Sequence, residues 1–153
     1  MKVKRHRPDV GVQQFFEKES STYSYLLYDQ ETGEGLFIDP VYETYERDLK
    51  WIDDLGIKLL YVLETHVHAD HRTGSWEIKK GTGAETCLSA TSGVKNADIL
   101  LKDGQLLEFG KFSLKAFNTP GHTNGCMSYY VDGMLFTDKV KNNKSLVTYD
   151  NYI

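Results

Sequence analysis

The chain has 153 residues, of which 40% are hydrophobic and 26% charged, and a formal net charge of −4. That length predicts one domain over residues 1–153, and that mix predicts an ordinary water-soluble globular protein. The acidic balance argues against a nucleic-acid or membrane-surface partner, and no apolar stretch is long enough to span a bilayer. Cys87 and Cys126 lie far apart in no paired motif. They predict reduced thiols rather than a disulfide scaffold or a zinc ribbon. The basic opening Met1–Arg7 lacks the apolar run of a secretory signal. A cytoplasmic location is expected, with the mitochondrion as the alternative for a eukaryotic source.

Tyr23–Tyr28 is rich in aromatic and apolar residues and predicts a strand. A turn at 31–35 returns the chain through Leu36–Ile38, making a hairpin that Asp39-Pro40 ends. Tyr45, Leu49, Ile52 and Leu55 recur at helical spacing, with Gly56 as a C-terminal cap. Leu59–Leu63 is a continuous apolar run, as in a strand buried on both faces. A short helix is expected from Ser75 to Gly81-Thr82-Gly83, then a strand over Ala84–Ser89. Ile99–Leu101 and Leu106–Phe109 flank Asp103-Gly104 and predict a hairpin. Phe112–Phe117 alternates as a half-buried strand does, and Cys126–Val131 and Met134–Thr137 form a last predicted hairpin. Strands interleaved with helices define an α/β protein. Trp51 and Trp76 are expected half-buried on the two helices.

The chemistry is concentrated after Leu63. Thr65-His66-Val67-His68-Ala69-Asp70-His71-Arg72-Thr73-Gly74 packs three imidazoles and a carboxylate into a strand-end loop. In extended backbone His66, His68 and Asp70 point the same way. Imidazole and carboxylate are good donors for zinc and ferrous iron. A second loop, Thr119-Pro120-Gly121-His122-Thr123, follows another strand, and Pro and Gly there fix a tight turn that presents His122. Phe136-Thr137-Asp138 supplies a third strand-end carboxylate.

His66-Val-His68-Ala-Asp70-His71 resembles the HxHxDH signature of the metallo-β-lactamase-fold superfamily, and TPGHT resembles its second metal loop. The resemblance covers about residues 10–138. It implies the first half, with part of the second sheet, of an αββα sandwich. Asp138 matches a third ligand position, but the glycine that usually stands between Thr and Asp is missing here. Such a glycine lets the backbone turn the carboxylate toward the metal. A further histidine of the usual pattern does not occur before Ile153. An incomplete domain with an uncovered sheet face is therefore expected, and with it self-association.

Gly125-Cys126 and the run His68-Ala-Asp70-His71-Arg-Thr-Gly resemble the persulfide dioxygenase branch; the glyoxalase II pattern has His in the place of Cys126. Cys126 itself reads as a small buried hydrophobe opening a strand. The dioxygenase branch implies one iron(II) on His66, His122 and Asp138, with His68, Asp70 and His71 orienting ligands or substrate. Its reaction would oxidise glutathione persulfide with O₂ to sulfite. The glyoxalase II branch implies hydrolysis of a glutathione thioester. There His66, His68 and His122 would hold one metal, Asp70, His71 and the missing histidine the other, and Asp138 would bridge. Zinc(II) takes the same donors as iron. The expected set is thus His66, His68, His122 and Asp138 as metal ligands and Asp70 and His71 as catalytic groups, with a truncated metal-binding module as the non-enzymatic reading.

Overall fold

The computed structural model describes residues 9–66, 73–119, 125–137 and 147–149. Two sheets form a sandwich. The first has six strands in sequence order: β1 (Val10–Glu17), β2 (Thr22–Asp29), β3 (Glu34–Ile38), β4 (Lys58–Leu63), β5 (Glu85–Ser89) and β6 (Ile99–Leu101). The second has five: β7 (Leu106–Phe109), β8 (Phe112–Asn118), β9 (Met127–Val131), β10 (Met134–Phe136) and β11 (Val147–Tyr149), ordered β11-β10-β9-β8-β7.

Strands β1 to β3 pair antiparallel, whereas β3 to β6 run parallel. Parallel neighbours need crossovers. A 3₁₀ turn at Tyr42–Thr44 leads into α1 (Tyr45–Asp54), which joins β3 to β4, and α2 (Ser75–Thr82) lies between β4 and β5. Both helices end where expected. Gly56 follows α1 at φ +65°, and Gly83 caps α2 in the left-handed region at φ +79°, where a side chain would cost strain.

The sandwich core lies between the sheets. It is built on Tyr25, Leu36, Ile38, Leu63, Leu114, Tyr129 and Phe136, all buried. A smaller core under the helices gathers Phe15, Leu26, Phe37, Ile52, Val62 and Ile78. Alternate residues of β2 and β3 serve the two cores, as period-two side-chain placement requires. At one rim Asp29 takes the Lys111 and Glu31 N–H groups, both at 2.8 Å. Gly110 is obligatory beside it: φ is +57°, and a Cβ would lie 2.1 Å from Asp29 Oδ2. At the same rim, Asp132 Oδ2 accepts the N–H groups of Asp9 (2.6 Å) and Val10 (3.1 Å), holding the edge strand β1 to the β9–β10 turn.

Four features depart from the sequence reading. Asp103-Gly104 does not close a hairpin: β6 pairs parallel to β5 in the first sheet, and β7 pairs with β8 in the second. The turn carries the chain from one sheet to the other, and the actual hairpin of β7 turns at Gly110-Lys111. Strand β1 was not signalled, because Gly11, Gln13 and Gln14 interrupt its apolar pattern. Nor was β11, whose segment reads as polar. Trp76 is 62% exposed rather than half-buried.

Candidate metal-loop site

Strand β4 ends at Leu63, and the next three residues are held more tightly than a surface loop requires. Asp39, at the end of β3, donates its N–H to Leu63 O at 2.8 Å. Its buried carboxylate accepts Thr65 N–H at Oδ1 (2.7 Å) and the Thr65 hydroxyl at Oδ2 (2.6 Å). Asp39 sits at φ +56°, a backbone that non-glycine residues seldom adopt. The Ser24 hydroxyl caps its carbonyl at 2.6 Å. The strain is offset by these four bonds, two of which fix Thr65.

Thr65 in turn orients His66. Its Oγ1 lies 3.2 Å from His66 Nδ1. The threonine proton is already directed at Asp39, so Oγ1 acts toward the ring as an acceptor, and the proton is assigned to Nδ1. That tautomer carries the lone pair on Nε2. A hydrogen bond to one ring nitrogen is the usual way a ligating histidine is set.

The far end of the loop is clipped to the same strap. Gly74 N–H donates to Pro40 O at 3.0 Å, and Val41 bridges Thr73. A Cβ on Gly74 would stand 3.0 Å from Val41 O, so close backbone approach requires glycine there. Segment 39–41 thus grips both ends of the motif loop.

The second sheet meets this end of β4. Met127 N–H donates to Thr65 O at 2.6 Å, and the Tyr129 hydroxyl donates to Glu64 O at 2.5 Å. Burial pushes that hydroxyl well above the ordinary tyrosine value, so it remains a donor. Thr119 N–H donates to Cys126 O at 3.0 Å, closing the base of the segment that holds His122. Phe136 stands opposite Tyr129 in the register of β10 on β9, so β10 also runs toward this rim. The flanks of all three sequence signals therefore converge at one end of the sandwich. Of the expected residues only His66 is described. His68, Asp70, His71, His122 and Asp138 lie outside the described residues. Cys126 is buried, as expected of a strand-opening hydrophobe.

Asp39-Pro40 was expected near the metal loops and Thr65 as the opening residue of the motif, neither with a role; Glu64 and Tyr129 were not expected at the site. Nothing in a linear pattern marks Tyr129, whose role depends on which strands of two sheets face each other.

Loops at the strand ends of a two-sheet sandwich, bearing histidine and carboxylate, define a class of metal-loop proteins. A family model of the metallo-beta-lactamase superfamily matches residues 18–134, and the chain belongs to that superfamily. Among relatives, the mitochondrial persulfide dioxygenase ETHE1 of Bos taurus is 43% identical over 131 residues, covering 84% of this chain and 51% of that protein. A hydroxyacylglutathione hydrolase of Pelagibacter ubique is 34% identical over 119 residues, covering 75% and 49%. The crystal structure of ETHE1 from Myxococcus xanthus superposes with a TM-score of 0.78 at 37% identity, covering 82% of this chain and 56% of that one. The chain spans about half the length of the curated relatives it matches.

Proposed function

We propose that the chain carries the metal-loop half of a persulfide dioxygenase. The observation that carries this reading is 43% identity with persulfide dioxygenases over 131 residues. Gly125-Cys126 supports the same branch over the hydrolases. The overall change is balanced: glutathione persulfide, dioxygen and water give glutathione, sulfite and two protons.

Among the described residues no group of three metal donors is assembled, and the support for a metal comes from the setting of His66 alone. His66 has its Nδ1 proton directed at Thr65 Oγ1, and Asp39 stands behind that hydroxyl. Such a pairing fixes the ring plane and the tautomer. His66, His122 and Asp138 are proposed to hold iron(II), with His68 an additional ligand where a second metal is taken. Asp70 and His71 are proposed to orient substrate and hold or move protons beside it. Iron(II) on two histidines and a carboxylate would supply adjacent open positions for a sulfur ligand and dioxygen. The protein's part is to keep the imidazole in one tautomer and to bind the sulfur compound. A mitochondrial location, as in the relative's name, and self-association belong to the same proposal.

The test is an oxygen electrode with protein loaded separately with iron(II) and zinc(II). Oxygen uptake with glutathione persulfide in the iron form, and little hydrolysis of S-lactoylglutathione in either, supports the dioxygenase. Hydrolysis without oxygen uptake assigns the chain to the thioesterase reading. Neither activity, with metal bound, leaves a metal-binding module.

A further inference from the structure

A cavity of about 220 Å³ opens beside His66, between the start of α2 and the outer face of β5. Glu64 and Ser75 form one wall, and Thr86, Cys87, Leu88 and Val94 form the other. It exceeds the roughly 150 Å³ of an apolar cavity that accepts benzene.

The polar groups of these walls are largely turned to each other. The Ser75 hydroxyl donates to the Glu64 carboxylate. Thr86 Oγ1 donates to Asp98 Oδ2 at 3.2 Å and accepts Asp98 N–H at 3.1 Å. Burial pushes the Cys87 thiol up to about 12, so it stays neutral. The surface left facing the space is mainly carbon. Leu88 lies beside Leu100 in the strand register, and Leu100 is 41% exposed, so the apolar surface continues past the mouth. No lysine or arginine lines the space among the described residues. Among these described residues the carboxylates of a glutathione arm find no counter-charge, and a water needs two to four polar partners.

We propose that this cavity binds a small, uncharged apolar group, aromatic or branched alkyl, borne by the sulfur substrate that reacts at His66. The substrate half of this statement rests on the dioxygenase reading above; the cavity half does not. An apolar arm buried here gains contact and sheds hydration, while its sulfur remains at the mouth. Apolar persulfides are then substrates that the tripeptide chemistry alone would not predict.

Benzene is the probe for the cavity. It is titrated into the full chain and followed through the methyl resonances of Leu88 and Val94, with Leu114, in the sandwich core, as the control. Saturable shifts at the first two, abolished in Leu88→Trp and in Val94→Trp, are expected. Val94 lies outside the strands, so its variant remains informative if Leu88→Trp fails to fold. Silent methyls in the parent chain, or undiminished shifts in a folded filled variant, overturn the site. In iron-loaded protein, the ratio of kcat/KM for benzyl hydropersulfide to that for glutathione persulfide is expected to fall at least about tenfold in a filled variant. An unchanged ratio overturns the substrate assignment. Turnover of neither compound overturns it together with the dioxygenase reading, and the benzene titration still decides the cavity.

Discussion

The two cores of the molecule differ in material and in reach. The sandwich core is aromatic: Tyr25 and Phe136 meet edge to face at 4.9 Å, with Tyr129 and Phe109 fully buried nearby. The helix-side core is smaller and closes over β2 to β4, while Leu88 and Leu100 on β5 and β6 stay partly open to solvent. Among the described residues, the sandwich core reaches the start of the metal loop from the second sheet, through Tyr129 and Met127. Packing between the sheets therefore fixes the site, and the helical layer fixes the first sheet.

The largest expected effect tests that division. Phe136→Ala removes an aromatic ring from the sandwich core and should cost about 3–5 kcal/mol in denaturant unfolding. Ile78→Ala in the helix-side core should cost about 2–4 kcal/mol. Metal affinity should fall in the first variant and hold in the second; equal loss in both would erase the distinction drawn here.

Asp39→Ala acts on the strap instead of a core. It orphans the buried N–H and hydroxyl of Thr65, at a cost of about 3 kcal/mol. Amide exchange at Thr65 should rise before that of Leu114 does. Uniform acceleration across both sheets would show that the strap serves global stability alone.

The legible part of the fold was the part written in local pattern. Nine strands, β2 to β10, and both helices follow from apolar pattern and from glycine caps, because each is marked within its own stretch of sequence. The Asp103-Gly104 turn misled, since a hairpin and a crossing between sheets demand the same left-handed glycine at 104. Among site residues, His66 was visible from its motif. Thr65 was visible there only as the first residue, and neither its role nor Tyr129 could be read, because an Asp-to-Thr-to-His chain and a hydroxyl reaching across a sandwich are facts of tertiary contact.

Asp48 sharpens the view of the helical layer. It is buried on α1, paired with Arg47 through Oδ1 at 3.0 Å, while Oδ2 has no hydrogen-bond partner among the described residues. Burial raises its carboxyl from 3.8 to about 6, and Arg47 only partly opposes this. Between those values the folded state binds more protons than the unfolded one, so stability falls as pH rises from 4 through 6. The loss is on the order of 2 kcal/mol. Asp48→Asn should flatten this stretch of the stability–pH curve and raise stability at pH 7. A curve that keeps its slope would place the titration elsewhere.

Trp76→Ala should change stability by less than about 0.5 kcal/mol, since the ring is 62% exposed. A larger loss in thermal melting would mean that the helical layer extends further over β5 than its buried residues indicate.

The clamp of Asp132 on Asp9 and Val10 has a kinetic consequence. The partners are 123 positions apart, so closing that contact early in folding requires ordering a very long loop. Hairpins such as β9–β10 can form locally and wait. Strand β1 can pair with β2 locally, but its Val10 end is then expected to be fixed late, after its receptor turn exists. In refolding followed by pulsed hydrogen exchange, the Val10 amide should gain protection after those of β9. Simultaneous protection would indicate that β1 condenses with the first sheet without needing the clamp.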